Sequence, residues 1–133
     1  MAYHLHARAG RDFDAAVEAV RTALAAEGFG VLSDIDVAGT LEKKLGVRRP
    51  AYRILGACNP GFANQALQLE PDLGVLLPCN VIVRQDDDGG VTVAAVDPAA
   101  SLSLTGNAEL APIAAQVRER LERALRTVGQ AGG

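Results

Sequence analysis

Apolar and polar positions alternate over residues 2–8, placing Tyr3, Leu5 and Ala7 on one face and His4 and His6 on the other, as expected of a first β-strand. The period then lengthens. Phe13, Ala16, Val17, Val20 and Leu24 recur at helical spacing behind Asp12, a favoured N-cap residue, and Gly28 offers the C-terminal stop. A second strand follows, in which Phe29, Val31, Ile35 and Val37 are expected on one face and Asp34 and Asp36 on the other. Val37 to Gly46 reads as a short helix or turn, because Leu41 and Leu45 lie one helical turn apart and Gly46 can end it.

Tyr52 to Cys58 reads as the next strand and runs directly into Asn59-Pro60. Asn is a good helix cap, and Pro at the first helical position gives up no hydrogen bond, so a helix is expected over 60–70, stopped by Pro71. Gly74 to Gln85 is rich in Val, Leu and Ile and predicts a long strand interrupted at Pro78-Cys79. Pro78 has no N–H to donate and is therefore expected at an edge or a bulge. Asp86-Asp87-Asp88-Gly89-Gly90 is a hairpin turn, with Val91 to Val96 as the return strand. The segment from Asp97 to Asn107 is expected as a loop, with Ser101-Leu102-Ser103-Leu104 as an optional short strand. A closing helix carries Leu110, Ile113, Ala114, Val117, Leu121, Ala124, Leu125 and Val128 on one stripe and Arg118, Glu119, Glu122 and Arg126 outside it.

The order β-α-β-(α)-β-α-β-β-α, with helices able to gather on one side of antiparallel strands, predicts an α+β two-layer sandwich and not a doubly wound parallel sheet. At 133 residues this is expected to be a single domain over residues 1–128, with 129–133 as a flexible C-terminal tail. Hydrophobic residues make up 49% of the chain and charged residues 22%, a balance that supports a packed core. Aromatics are only 4%, with no Trp, so the core must come from Ala, Val, Leu and Ile. The same scarcity, with a net charge of −3, argues against nucleic acid as a partner: neither stacking platforms nor a basic footprint is present. No apolar run reaches the roughly 18 residues of a membrane span, and the N-terminus lacks the apolar stretch of a secretory signal, so the expectation is a cytoplasmic protein without a membrane partner. Cys58 and Cys79 are then expected as thiols.

Candidate chemistry concentrates at one place. Cys58 immediately precedes the capping Asn59 at a helix entrance, where unpaired N–H groups and the helix dipole favour a thiolate or a small anion. The plainer reading is a buried cysteine ending a strand. Cys79 has apolar companions on its face, Val81 and Val83, and reads first as packing. If the two strands are neighbours, Cys58 and Cys79 form a redox pair or half of a metal site, to which His4 and His6 would add imidazoles. Asp86 to Gly90 lacks the ligand spacing of a calcium loop. Lys43, Lys44, Arg48, Arg49 and Arg53 form a basic cluster that suits a solvated edge better than an anion site. Phosphate-binding loops, nucleophile elbows and zinc-protease motifs are absent, and Ser33, Ser101 and Ser103 have no identifiable base.

Four stretches together resemble the domain of unknown function 302 family of bacteria and archaea. They are Glu27-Gly28-Phe29-Gly30-Val31, Ile54 to Pro60, Pro71 to Val83 with its Leu77-Pro78-Cys79 step, and Asp88-Gly89-Gly90-Val91-Thr92-Val93. The resemblance implies a compact, dimeric α+β domain with no established activity, and it brings no catalytic residues. Cys58, Asn59, Pro60, Pro78 and Cys79 stand where its pattern is most recognisable. The site expected from residues and resemblance is therefore a small-molecule or anion site at Cys58, Asn59, Pro60 and Cys79 in a homodimer, without a cofactor or metal. The alternative is a thiol-based redox or metal-binding protein using Cys58 and Cys79.

Overall fold

The computed structural model describes residues 2–132. Strands β1 (His4–Arg8), β2 (Gly30–Asp36), β3 (Tyr52–Cys58), β4 (Cys79–Gln85) and β5 (Val91–Val96) form one antiparallel sheet in the order β1-β5-β4-β3-β2. The helices are α1 (Phe13–Ala26), α2 (Val37–Leu45), α3 (Pro60–Leu69), α4 (Pro98–Ser103) and α5 (Ala111–Gly132), with 3-10 turns at Pro71–Leu76 and Ala108–Leu110. Helices α1 and α5 pack on one face of the sheet. Their buried stripes, including Val17, Val20 and Leu24 on α1 and Leu121, Ala124 and Val128 on α5, meet Leu55, Val81, Val83, Val93 and Ala95 in one hydrophobic cluster. The α+β two-layer sandwich expected from the patterning is the observed fold.

Local signals account for most boundaries. Asp12 caps α1 by accepting from the Ala15 N–H at 3.1 Å, and Asp36 caps α2 through Gly39 at 2.9 Å. Gly46 closes α2 at φ +68°, a left-handed conformation that costs glycine little.

Three expectations are corrected. The long strand over 74–85 is only its second half: residues 71–76 form a 3-10 turn, Leu77-Pro78 is a cis peptide, and β4 starts at Cys79, so Pro78 precedes the strand and interrupts nothing. The segment 101–104 is helical. Asp97 accepts from the Ala99 N–H at 2.9 Å and Pro98 takes the first helical position, so capping chemistry decides against a short alternating pattern. Strand β2 carries a bulge between Val31 and Ser33, and every residue beyond it changes face. Asp34 thus pairs with Leu55 on the helix side, while Ile35, expected inward, pairs with Ile54 on the open side and is 50% exposed.

Helix α5 runs through Gly132, past Val128 and along most of the segment expected as a tail; Gly133 lies outside the described residues. No helix of the described residues is long and apolar enough to cross a membrane.

Candidate functional site

The site grows from the end of β3. Cys58 is the last strand residue, Asn59 takes the N-cap position, and Pro60 opens α3. Asn59 has the extended backbone of a cap, with φ −103° and ψ 100°, yet its side chain makes no capping hydrogen bond. It reaches instead across to the turn after α1, where Nδ2 donates to the Glu27 carbonyl at 3.2 Å. Arg120 of α5 donates to the same carbonyl at 3.1 Å, and the Arg123 Nε donates to the Glu27 carboxylate at 3.0 Å. The α1–β2 turn, the β3–α3 junction and the middle of α5 are therefore locked together at Glu27. Gly28 at φ +87° permits that approach, since a Cβ there would stand 3.2 Å from Asn59 Nδ2.

Beside this junction lies a cavity of about 380 Å³. Its walls come from the ends of β3 and β4, from α3, the 3-10 turn, α4 and the start of α5. Leu73, Ala66, Leu102, Ile113 and Val117 are buried and form its depth, while Leu32 and Ser33 at the β2 bulge are exposed and form its rim. Asp97 holds two of these walls together. Its carboxylate caps α4 and accepts from Arg118 Nε of α5 at 3.1 Å.

Of the four candidate residues, Cys58, Asn59 and Cys79 line the cavity, whereas Pro60 is exposed on the first turn of α3 and does not. Ala57 faces Cys79 directly across β3 and β4, so Cys58 is its diagonal neighbour; strand alternation turns the two side chains to opposite faces, and both thiols are free. They reach one cavity because it wraps the end of the sheet. Burial pushes the Cys79 thiol up to about 11, with Cys58 adding to the shift, so Cys79 is protonated at neutral pH.

The other candidate clusters are occupied or dispersed. His4 and His6 lie on edge strand β1, separated from β4 by β5, and among the described residues no group of three or more His, Cys, Asp or Glu is placed to hold a metal ion. In the hairpin, Asp86 accepts from Arg8, Arg84 and the Thr92 hydroxyl, and Asp88 from Arg8. Of the basic cluster, Arg53 shares Asp34 with Arg21 of α1, Arg48 pairs with Glu42 at 3.5 Å, and Arg49 lies over the Tyr52 ring at 5.0 Å. The hydrogen bond from Arg53 is the main cause holding the Asp34 carboxyl below its usual range, and Arg21 adds to it.

Sequence reasoning missed the hydrophobic walls. Leu77 and Leu102 read as strand residues and Ile113 and Val117 as an ordinary helix stripe, Phe62 and Leu73 stand out in neither pattern, and only the failure of these side chains to meet one another leaves a space. The helical capping signal at Asp97-Pro98 was available to place Leu102 correctly.

The family model described as "Domain of unknown function DUF302" matches residues 5–128. The fold is similar to the crystal structure of an uncharacterized conserved DUF302 protein from Bacillus stearothermophilus, with a TM-score of 0.90 and 27% sequence identity over 96% of this chain and 99% of that one. No curated protein matches the chain.

Proposed function

The chain belongs to the DUF302 family, and on that premise we propose that it is a cytoplasmic, homodimeric protein that binds a small molecule in the cavity at the β3–α3 junction. The observation that carries this reading is the cavity itself. About 380 Å³ falls within the range of small-molecule pockets, roughly 300–1,000 Å³. Its depth is apolar and its few polar side chains, Ser33 and Asn59 among them, lie away from that depth. The test is to fill it. Ala66 is buried in the wall, and Ala66→Phe directs a ring into the space. Binding of a hydrophobic fluorescent probe, saturable in the parent protein, should be lost in the folded variant; unchanged binding would refute the site.

Support for the homodimer is the sheet face turned away from α1 and α5. Ile35, Ile54, Ile82 and Ala94 are paired in register across β2, β3, β4 and β5, making an apolar row on that face. A second copy is the simplest cover for such a surface.

A second reading rests on a separate observation, that Cys58 and Cys79 line one cavity from adjacent strands, although their side chains start on opposite faces and bridging them requires the strand end to shift. It makes the pair a redox couple in which Cys58 is the attacking thiol and Cys79 the resolving one. Formation of an intramolecular disulfide under mild oxidation, lost in Cys58→Ser, would favour it. Two thiols that stay free while the cavity binds its probe would set it aside.

A further inference from the structure

Building on the ligand-binding reading, we infer that the cavity selects an uncharged, lipophilic molecule of about fifteen non-hydrogen atoms. Three observations carry the inference. The first is electrostatic: among the described residues no Asp, Glu, Lys, Arg or His lines the cavity, and of its two ionisable groups Cys79 is kept neutral by burial. A charge carried into the hydrocarbon depth of such a space would be stripped of water with no counter-charged side chain to meet it, which drives ionised ligands out. Arg120 does not alter this. Its guanidinium lies over the Phe62 ring at 5.2 Å from the centroid, outside the lining, and donates to the Glu27 carbonyl.

The second observation is the gradient of polarity. Leu73, Ala66 and Leu102 at the depth are buried and offer nothing but hydrocarbon, whereas Ser33 at the rim and Asn59 nearer the junction carry the neutral hydrogen-bonding side chains. The Nδ2 of Asn59 is taken by Glu27, but Oδ1 and the Ser33 hydroxyl have no protein partner among the described residues. A hydroxyl or amide head group on the ligand would find an acceptor at Asn59 or a hydroxyl at Ser33. The third is size. A cavity of roughly 150 Å³ takes benzene, so about 380 Å³ scales to a molecule of about fifteen non-hydrogen atoms.

The experiment separates the charge inference from the ligand-binding reading beneath it. The full chain is titrated at pH 7.5 with 1-aminoanthracene, a neutral tricyclic fluorophore of the right size, and the bound probe is displaced by 1-decanol, decanoate or decylammonium, which share a tail and differ in head group. Saturable 1:1 probe binding is expected, with decanol displacing the probe at a concentration at least tenfold lower than either ion. Displacement by decanoate or decylammonium at or below the decanol concentration, from a site that Ala66→Phe closes, would overturn the uncharged class and leave ligand binding standing. Absence of probe binding, or binding that persists in folded Ala66→Phe, would overturn both. If Ala66→Phe does not fold, Ala63→Phe on the half-buried wall of α3 serves the same purpose.

Discussion

Asn59 and Glu27 are 32 positions apart in the chain, and a 3.2 Å hydrogen bond from the Asn59 side chain to the Glu27 carbonyl joins the α3 entrance to the end of α1. A residue whose type and position advertise a helix cap thus acts as a long-range tether. Asn59→Ala should cost about 1 kcal/mol in urea unfolding. Gly28→Ala should cost about 1–2 kcal/mol through its left-handed backbone alone. Because the added Cβ would press on Asn59 Nδ2, the double variant should lose less than the sum of the two. Strict additivity would show that the tether and the turn are independent.

Gly56 supplies a second close approach, now on the open side of β3. A Cβ at this position would stand 2.3 Å from Ser33 Oγ and 2.8 Å from Pro78 Cγ. Gly56→Ala must displace the β2 bulge or the Pro78 ring, and an overpacking cost of about 1–3 kcal/mol is expected by chemical denaturation. A neutral effect would mean that the bulge at the cavity rim gives way freely.

Acid should weaken the protein partly through Asp34. Its folded-state pKa lies below its unfolded value because Arg53 and Arg21 hydrogen-bond to the carboxylate. The folded state therefore holds the proton less tightly than the unfolded state. The resulting stabilisation is fully present above the unfolded carboxyl pKa, near 3.8, and is lost as pH falls through the lowered folded value. In urea midpoints measured from pH 6 to pH 2, Asp34→Asn should be less stable than the parent at pH 6 and converge toward it in acid. Parallel curves would remove Asp34 from the acid response.

Cys79 gives the opposite dependence at the alkaline end. Its folded pKa, about 11, lies above the 9.0 of an unburied thiol, so the folded state binds the proton more tightly. Stability from this group is full below pH 9 and declines as pH rises from about 9 to 11. Alkylation of Cys79 in a Cys58→Ser background should accordingly be slow at pH 7.5 and accelerate only in the alkaline range, with a midpoint below that of the parent because the contribution of Cys58 is gone. Fast reaction at neutral pH would contradict its burial in the cavity wall.

The open sheet face makes its own prediction. Ile82 stands in the middle of the apolar row, paired with Ile54 on one side and Ala94 on the other. If that row is the dimer contact, Ile82→Glu should shift the mass measured by light scattering from two chains to one at micromolar concentration, with the circular dichroism spectrum unchanged. A monomeric parent protein would remove the homodimer.

Element types and their order were legible wherever the cause was local. Asp12, Asp36 and Gly46 act at their own helix ends, and the hairpin at Asp86–Gly90 closes on its own turn residues. The Leu, Val and Ala stripes of α1 and α5 are set by a period of 3.6, which needs no partner to be read. The face of a residue after a bulge is not local. One extra residue at Leu32 turned Asp34 toward Arg21 and Ile35 toward solvent, because strand alternation holds only while pairing with β3 stays in step. The candidate site divides along the same line. Cys58, Asn59 and Cys79 were recognisable as unusual residues at a strand–helix junction, but the space they line exists only where α3, the 3-10 turn, α4 and α5 fail to close over the sheet end. A cavity is a property of the distances between elements, and no periodicity within any one of them encodes it.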